Sequence, residues 1–390
     1  MPRELLAVHH MRDGTVVLAF SDGRAVTADL GHPVFEPTSM LDSSTFLPQV
    51  FRLVLRTTRG DEIVLELPRP TDLAPLRGRP TIYLDQNHWS TLAKTIHDPT
   101  RVRNEDERRA SQRLIDLARA HEVVLPMSAA HMAETSKQND LEQRYGRALT
   151  IAQLSAGWRL RDPLSLRQLE LQQILTWQYR GESLAVPAAV TLEPDVVHEA
   201  RGLAIPPVSP DLSPEMQWSV RSQTSVLADI DAMLDTEPCP MDGVAGWVTG
   251  FQDFATFLRD NPAGPEIRRQ RTHLRFVADL GKELAEAAWL TGVTRPEDLS
   301  DWLTNRSEAD IRELPALGLF REVLHEKLSD PNLRWTENDL TDMIYLTAAA
   351  GYCDHIVGER THMSHIANSA RRLGRTINLH RTLRSLVEQL

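Results

Sequence analysis

The chain has 390 residues, a length that suits two or three domains better than one. Hydrophobic residues make up 41% and charged residues 25%, which supports a packed core and excludes wholesale disorder. The net charge of −11 argues against a protein that coats nucleic acid non-specifically, yet leaves room for clustered acids and for local basic patches. No apolar run reaches transmembrane length, and Met1-Pro2-Arg3-Glu4 begins no signal-peptide core. Cys239 and Cys353 suggest neither a disulfide framework nor a zinc site, so a reducing, cytoplasmic setting is expected.

In chain order, residues 4–76 read as mostly β. The apolar runs 15–20 and 24–28 flank Ser21-Asp22-Gly23, and the runs 51–55 and 62–67 flank Arg59-Gly60-Asp61. Both are hairpin signals. The proline- and arginine-rich stretch 68–80 predicts a boundary, with a small β-rich domain over 1–78. The pattern then changes. Residues 81–84 form a short apolar strand that ends at Asp85, followed by a helical pattern through Trp89, Leu92 and Ile96. A charged helix over 103–120 leads to a second strand at 122–126, and Ser128 caps the next helix, which carries Met132 and Glu134. Residues 140–333 read as a long helical insertion with breaks at Pro206-Pro207, Pro210, Pro214, Pro238 and Pro240, and amphipathic stretches at 164–177 and 217–234. A helix over 336–352, a strand at 355–358, a helix over 364–373 and a strand at 376–379 complete the chain. Strands alternating with helices predict an α/β fold with a parallel, doubly wound sheet over 79–390.

Ligand and catalytic sites of open α/β sheets form at the C-terminal ends of the strands. Asp85 directly follows the first strand, Glu134 lies in the helix after the second, Asp342 lies early in the helix before the strand at 355–358, and Glu359 follows that strand. Mg²⁺ and Mn²⁺ prefer oxygen ligands, lower the pKa of bound water and offset charge on a phosphodiester, so three or four convergent acids suit one or two such ions. Thr336 and Asp339 have the spacing of a capping box. Asp339 shares a helix face with Asp342, near the helix end that favours ionised carboxylates. Taken singly, each acid has a bland reading as cap, turn residue or solvated surface; the case rests on the set.

Tyr83-Leu84-Asp85-Gln86-Asn87-His88-Trp89 resembles the opening strand and first acid of PIN-domain nucleases. Ser128-Ala129-Ala130-His131-Met132-Ala133-Glu134 is similar to their second-acid helix. Asn338-Asp339-Leu340-Thr341-Asp342-Met343-Ile344-Tyr345-Leu346, with Gly351 to Arg360 after it, resembles the third-acid helix, the next strand and the fourth position. The likeness covers 81–137 and 335–380, and its specificity comes from the ordered combination. It implies a PIN-like (Rossmann-like) parallel sheet with Asp85, Glu134, Asp342 and Glu359 as catalytic metal ligands for Mg²⁺ or Mn²⁺. It also implies endonucleolytic cleavage of RNA ahead of DNA, often as the toxin of a toxin–antitoxin pair. The chain departs from the family at Glu359, where Asp is usual, and in the size of its insertion, so substrate choice does not transfer. The first departure keeps an alternative open: a catalytically inactive PIN-like module that binds nucleic acid or a partner. Residues 5–76 resemble a small β-rich domain of unknown function found near toxin–antitoxin loci, through Phe20-Ser21-Asp22-Gly23-Arg24 and Asp72-Leu73-Ala74-Pro75-Leu76. A protein partner is expected there.

Residues 360–384 contain Arg360, Arg371, Arg372, Arg375, Arg381 and Arg384 and no acid. Arg360, Arg371, Arg372 and Arg375, with Asn87, are the expected substrate contacts; a solvated helix face is the competing reading. Arg268-Arg269-Gln270-Arg271 is a second basic patch. His362 and His365 lack a third metal ligand in sequence. Trp89, Trp158, Trp177 and Trp218 are expected in the core. A haloacid-dehalogenase-type phosphatase would need an acid two residues after Asp85, where Asn87 stands.

Overall fold

The turns signalled in the first 66 residues form as the composition dictates. Gly23 (φ +81°) and Gly60 (φ +86°) take the left-handed conformation their hairpins require. In this computed structural model, which describes residues 4–201, 208–235, 244–293, 295–330 and 335–390, these turns belong to a six-stranded antiparallel sheet. Its strands are β1 (Leu5–Met11), β2 (Thr15–Phe20), β3 (Ala25–Asp29), β4 (Leu41–Leu47), β5 (Arg52–Thr57) and β6 (Glu62–Glu66), in the order β3-β2-β1-β4-β5-β6. Alternation along β5 and β6 buries Leu53, Leu55, Ile63 and Leu65 completely, giving the sheet one apolar face.

The chain divides into two compact units, and the division differs from the boundary expected at 78. The first unit is Met1–Thr81, Gln86–Leu160 and Val190–Cys239; the second is Ile82–Asp85, Arg161–Ala189 and Pro240–Leu390. The six-stranded sheet shares its unit with the helices that follow, because its edge is built into them. Tyr145, in the helix Leu141–Ser155, donates its hydroxyl to Asp61 Oδ2 at 2.7 Å and lies 2.8 Å from Thr57 Oγ1. The Glu66 N–H donates to the Ala156 carbonyl at 2.8 Å. Gly157 (φ +92°) comes so close that a Cβ there would lie 2.8 Å from the Glu66 carbonyl oxygen. Each buried branched side chain of the sheet contributes about 1.5–3 kcal/mol. Deleting residues 1–78 is therefore expected to leave a chain that no longer melts cooperatively; a truncated protein with the parent melting temperature would contradict this packing.

Within the first unit, Thr81 and Val124 form a single parallel bridge, as do Met127 and Arg159. The strand expected at 122–126 is thus a bridge without a ladder. Ser128 caps the helix Ala129–Ser136 in a reciprocal box with His131. β8 (Arg159–Leu160) pairs antiparallel with β9 (Val190–Thr191) inside the stretch expected to be wholly helical.

The second unit holds a three-stranded parallel sheet of β7 (Ile82–Leu84), β10 (His355–Val357) and β11 (Asn378–His380), in the order β11-β10-β7. Helices dominate the rest, and the insertion is shared between the two units. One of the expected breaks, Pro214, is a helix start instead. Pro163, Pro214, Pro265, Pro296 and Pro315 all open helices, where a missing N–H costs nothing and a fixed φ helps. Pro206, Pro207, Pro238, Cys239 and Pro240 lie outside the described residues. Among the described residues no helix is long and apolar enough to cross a membrane.

An ionic network fixes the helices of the second unit. Glu322, 1% exposed, accepts from Arg269 at 2.7 Å, Arg321 at 2.9 Å and Arg372 at 3.2 Å. Burial opposes its charge, but Arg269 and Arg321 hold the carboxyl down to about 2. Beside it, burial, aided by the charge of Arg321, pushes the His273 imidazole down to about 4. Between the unfolded value of 6.5 and about 4, the unfolded chain therefore binds more protons at His273 than the folded chain does. Stability from this group is present above 6.5 and is lost as pH falls through that window. His273→Gln is expected to flatten the melting temperature between these pH values; an unchanged slope would contradict the assignment.

Candidate active site

β7 is fully inside: Ile82 and Leu84 are 0% exposed and Tyr83 2%. Its ladder to β10 runs Ile82↔His355, Tyr83↔Ile356, Leu84↔Val357. Asp85 continues this register by donating its N–H to the Val357 carbonyl at 2.9 Å. The half-buried Asp85 carboxylate turns to the adjacent strand end, where Oδ2 accepts the Glu359 N–H at 2.8 Å. A Cβ on the neighbouring Gly358 would lie in ordinary contact with Asp85 Oδ2, at 3.4 Å, and 2.7 Å from the flexible end of Met363 at Cε. Glu359 is exposed and occupies the N-cap position of the helix Arg360–Leu373 without a side-chain capping bond. The Asp85 carboxylate therefore meets the Glu359 backbone at the C-terminal ends of neighbouring parallel strands.

Asp342 is half-buried in the helix Glu337–Tyr352, which leads into β10. Its Oδ2 lies 3.4 Å from His362 Nε2. Burial disfavours the charged imidazole, but the hydrogen bond and charge of Asp342 raise its pKa above the ordinary value. The spacing in sequence couples His362 to His365 and gives no sign of this partner. His365 instead sits 2.7 Å from Glu326, in the helix Pro315–Ser329. Asp339 is a cap: it closes the box with Thr336 and pairs with Lys327 at 2.9 Å, contacts that outweigh its burial and hold its pKa down.

Glu134 belongs to the first unit, half-buried in the helix Ala129–Ser136, where its charge supports that of Arg147. Asn87 is exposed in the helix Gln86–His97 of the same unit. The acid set is thus divided, with Asp85, Asp342 and Glu359 in one unit and Glu134 in the other. Among the described residues no three His, Cys, Asp or Glu side chains are grouped so as to hold a metal ion. Each acid is an oxygen donor of the kind that Mg²⁺ and Mn²⁺ prefer.

The basic C-terminal stretch is largely used internally. Arg372 pairs with Glu322 and, at 2.7 Å, with Glu326. Arg375 donates to the carbonyls of Arg312, Leu314 and Pro315, the last two at 3.0 and 2.9 Å, satisfying the end of the helix Ser307–Glu313. These two, expected to hold substrate, instead tie helices together, because nearby acids and helix-end carbonyls outcompete solvent for the exposed Arg372 and the half-buried Arg375. Arg371 is exposed and hydrogen-bonds Asn368 at 3.1 Å, and Arg360 is exposed beside Glu359. In the second basic patch, Arg269 is likewise committed to Glu322 and Glu308. Trp89 and Trp158 are core residues at 0% and 1% exposure, but Trp177 is 57% exposed.

No family model, no curated protein and no solved structure matches this chain.

Proposed function

We propose that this chain hydrolyses phosphodiester bonds in single-stranded RNA as a PIN-like nuclease with Asp85 as its central acid. The observation that carries this reading is the Asp85 carboxylate at the end of a buried parallel strand, bonded to the Glu359 N–H just beyond the neighbouring strand β10. Asp342 lies 3.4 Å from His362, in the helix that follows β10, which supports grouping it with Asp85 in the strand-end architecture that α/β enzymes use. Within it, the Glu359 N–H holds the Asp85 carboxylate and His362 pairs with Asp342. Dependence on Mg²⁺ or Mn²⁺ is the expectation that the likeness to PIN-domain nucleases brings. Among the described residues no three His, Cys, Asp or Glu side chains are grouped so as to hold such an ion.

That same arrangement favours a second reading, a PIN-like module that binds nucleic acid without cutting it. The test is cleavage of end-labelled single-stranded RNA by purified protein, with Mg²⁺, with Mn²⁺ and with EDTA. Cleavage abolished by EDTA is expected. RNA that is retained by the protein and never cut in either metal selects the second reading.

A further inference from the structure

The first unit contains a cavity of about 620 Å³, a size that accommodates a nucleotide. Its wall is built from the start of β5, the proline- and arginine-rich stretch after β6, and the turn at His121. Four arginines line it against two acids, Glu66 and Asp72. The acids are already taken. Glu66 accepts both Nη atoms of Arg79, at 2.8 and 3.0 Å, and lies 3.0 Å from His121 Nδ1. Asp72 lies 3.6 Å from Arg77. Arg52 and Arg69, both exposed, remain with no carboxylate partner among the described residues. Arg69 donates to the Gln49 carbonyl at 3.0 Å and holds its guanidinium 5.2 Å from the centre of the Phe51 ring.

Backbone conformation singles out the same place. Five described non-glycine residues have positive φ, and three of them, Phe51 (φ 49°), Arg77 (φ 52°) and His121 (φ 55°), line this cavity. Such conformations are disfavoured for residues with a Cβ, and they persist where surrounding structure enforces them, often at binding sites.

We propose that this cavity binds a phosphate ester, carried by a free nucleotide or by a single-stranded nucleic acid. Arg52 and Arg69 supply the charge-assisted hydrogen bonds, and Arg77 adds a further guanidinium to the rim. None of Asp85, Glu134, Asp342 or Glu359 lines it, so the proposal stands apart from the nuclease reading.

The test is calorimetric titration of the full chain in EDTA, which keeps any metal-dependent cleavage silent. The probes are inorganic phosphate, adenosine monophosphate and a short oligouridylate. Binding of the nucleotide or of the oligonucleotide is expected, weakening as salt rises and displaced by inorganic phosphate. Binding of the monophosphate alone assigns the cavity to free nucleotides; binding of the oligonucleotide assigns it to a strand. Arg52→Ala with Arg69→Ala is expected to weaken the interaction roughly a hundredfold, about tenfold for each guanidinium removed, with an unchanged circular dichroism spectrum. Arg259→Ala, an exposed charge in the second unit, is expected to bind as the parent does. Absence of heat from all three probes, or an unchanged affinity in the double variant, overturns the proposal.

Discussion

Asp85→Asn is expected to lower RNA cleavage by at least about a hundredfold, the range typical of removing one group that stabilises developing charge. It should leave the melting temperature close to that of the parent. The substitution keeps the size and the oxygen that accepts the Glu359 N–H, so the strand end is preserved while the charge is lost. Asp339→Asn supplies the contrast. Asp339 spans Thr336 and Lys327, so its loss should cost about 1 kcal/mol of stability through a weakened cap and leave the cleavage rate near that of the parent. The two variants separate a chemical role from a structural one among acids that the sequence alone does not distinguish. Equal activity in Asp85→Asn and the parent would remove the basis of the functional proposal.

The largest effect on stability is expected at Glu170. Its side chain is 0% exposed in the helix Pro163–Arg180 and accepts three hydrogen bonds. Two come from the Ala316 and Leu317 N–H groups at 2.7 and 2.9 Å, at the start of the helix Pro315–Ser329, and one from the Tyr352 hydroxyl at 2.7 Å. Burial raises the Glu170 pKa against these donors, and the same burial, with the Glu170 charge, raises that of Tyr352. Tyr352 ends the helix that carries Asp342, so this carboxylate anchors the approach to β10. Glu170→Leu strands three buried donors in an apolar setting and is expected to destabilise the second unit by about 3 kcal/mol or more. Glu170→Gln retains one acceptor oxygen and should cost roughly half as much. Denaturant unfolding reads both, and a Glu170→Leu midpoint equal to that of the parent would contradict the anchoring role.

The parts of this architecture legible in the sequence are those that local chemistry decides. β2, β5, β6, β7 and β10 lie close to their apolar runs, and Ser128 and Thr336 cap the helices whose starts they mark in sequence. β1 and β4 are not legible. His9 and His10 interrupt the apolar pattern of β1, and β4 reads Leu-Asp-Ser-Ser-Thr-Phe-Leu; its strand character comes from pairing, as where Thr45 Oγ1 meets His9 Nδ1 at 2.9 Å. The unit boundary is illegible for the same reason. Tyr145 and Gly157 attach to the sheet through contacts with residues more than eighty positions away, which no composition shift reports. Placing Asp85 at a strand end requires only the short run before it. Assigning Arg372 and Arg375 to substrate requires knowing which acids and carbonyls surround them, and those come from helices around residues 312–326.

The central claim is that Asp85 and its neighbouring acids cut RNA, and one measurement addresses it directly. Single-turnover cleavage of single-stranded RNA is followed in EDTA and after Mn²⁺ is restored, for the parent and for the Asp85→Asn, Asp342→Asn double variant purified in parallel. Expected are no cleavage in EDTA, recovery with Mn²⁺ in the parent, and none in the double variant despite retained folding. Equal cleavage by parent and double variant, or none by either while RNA remains bound, would contradict the claim.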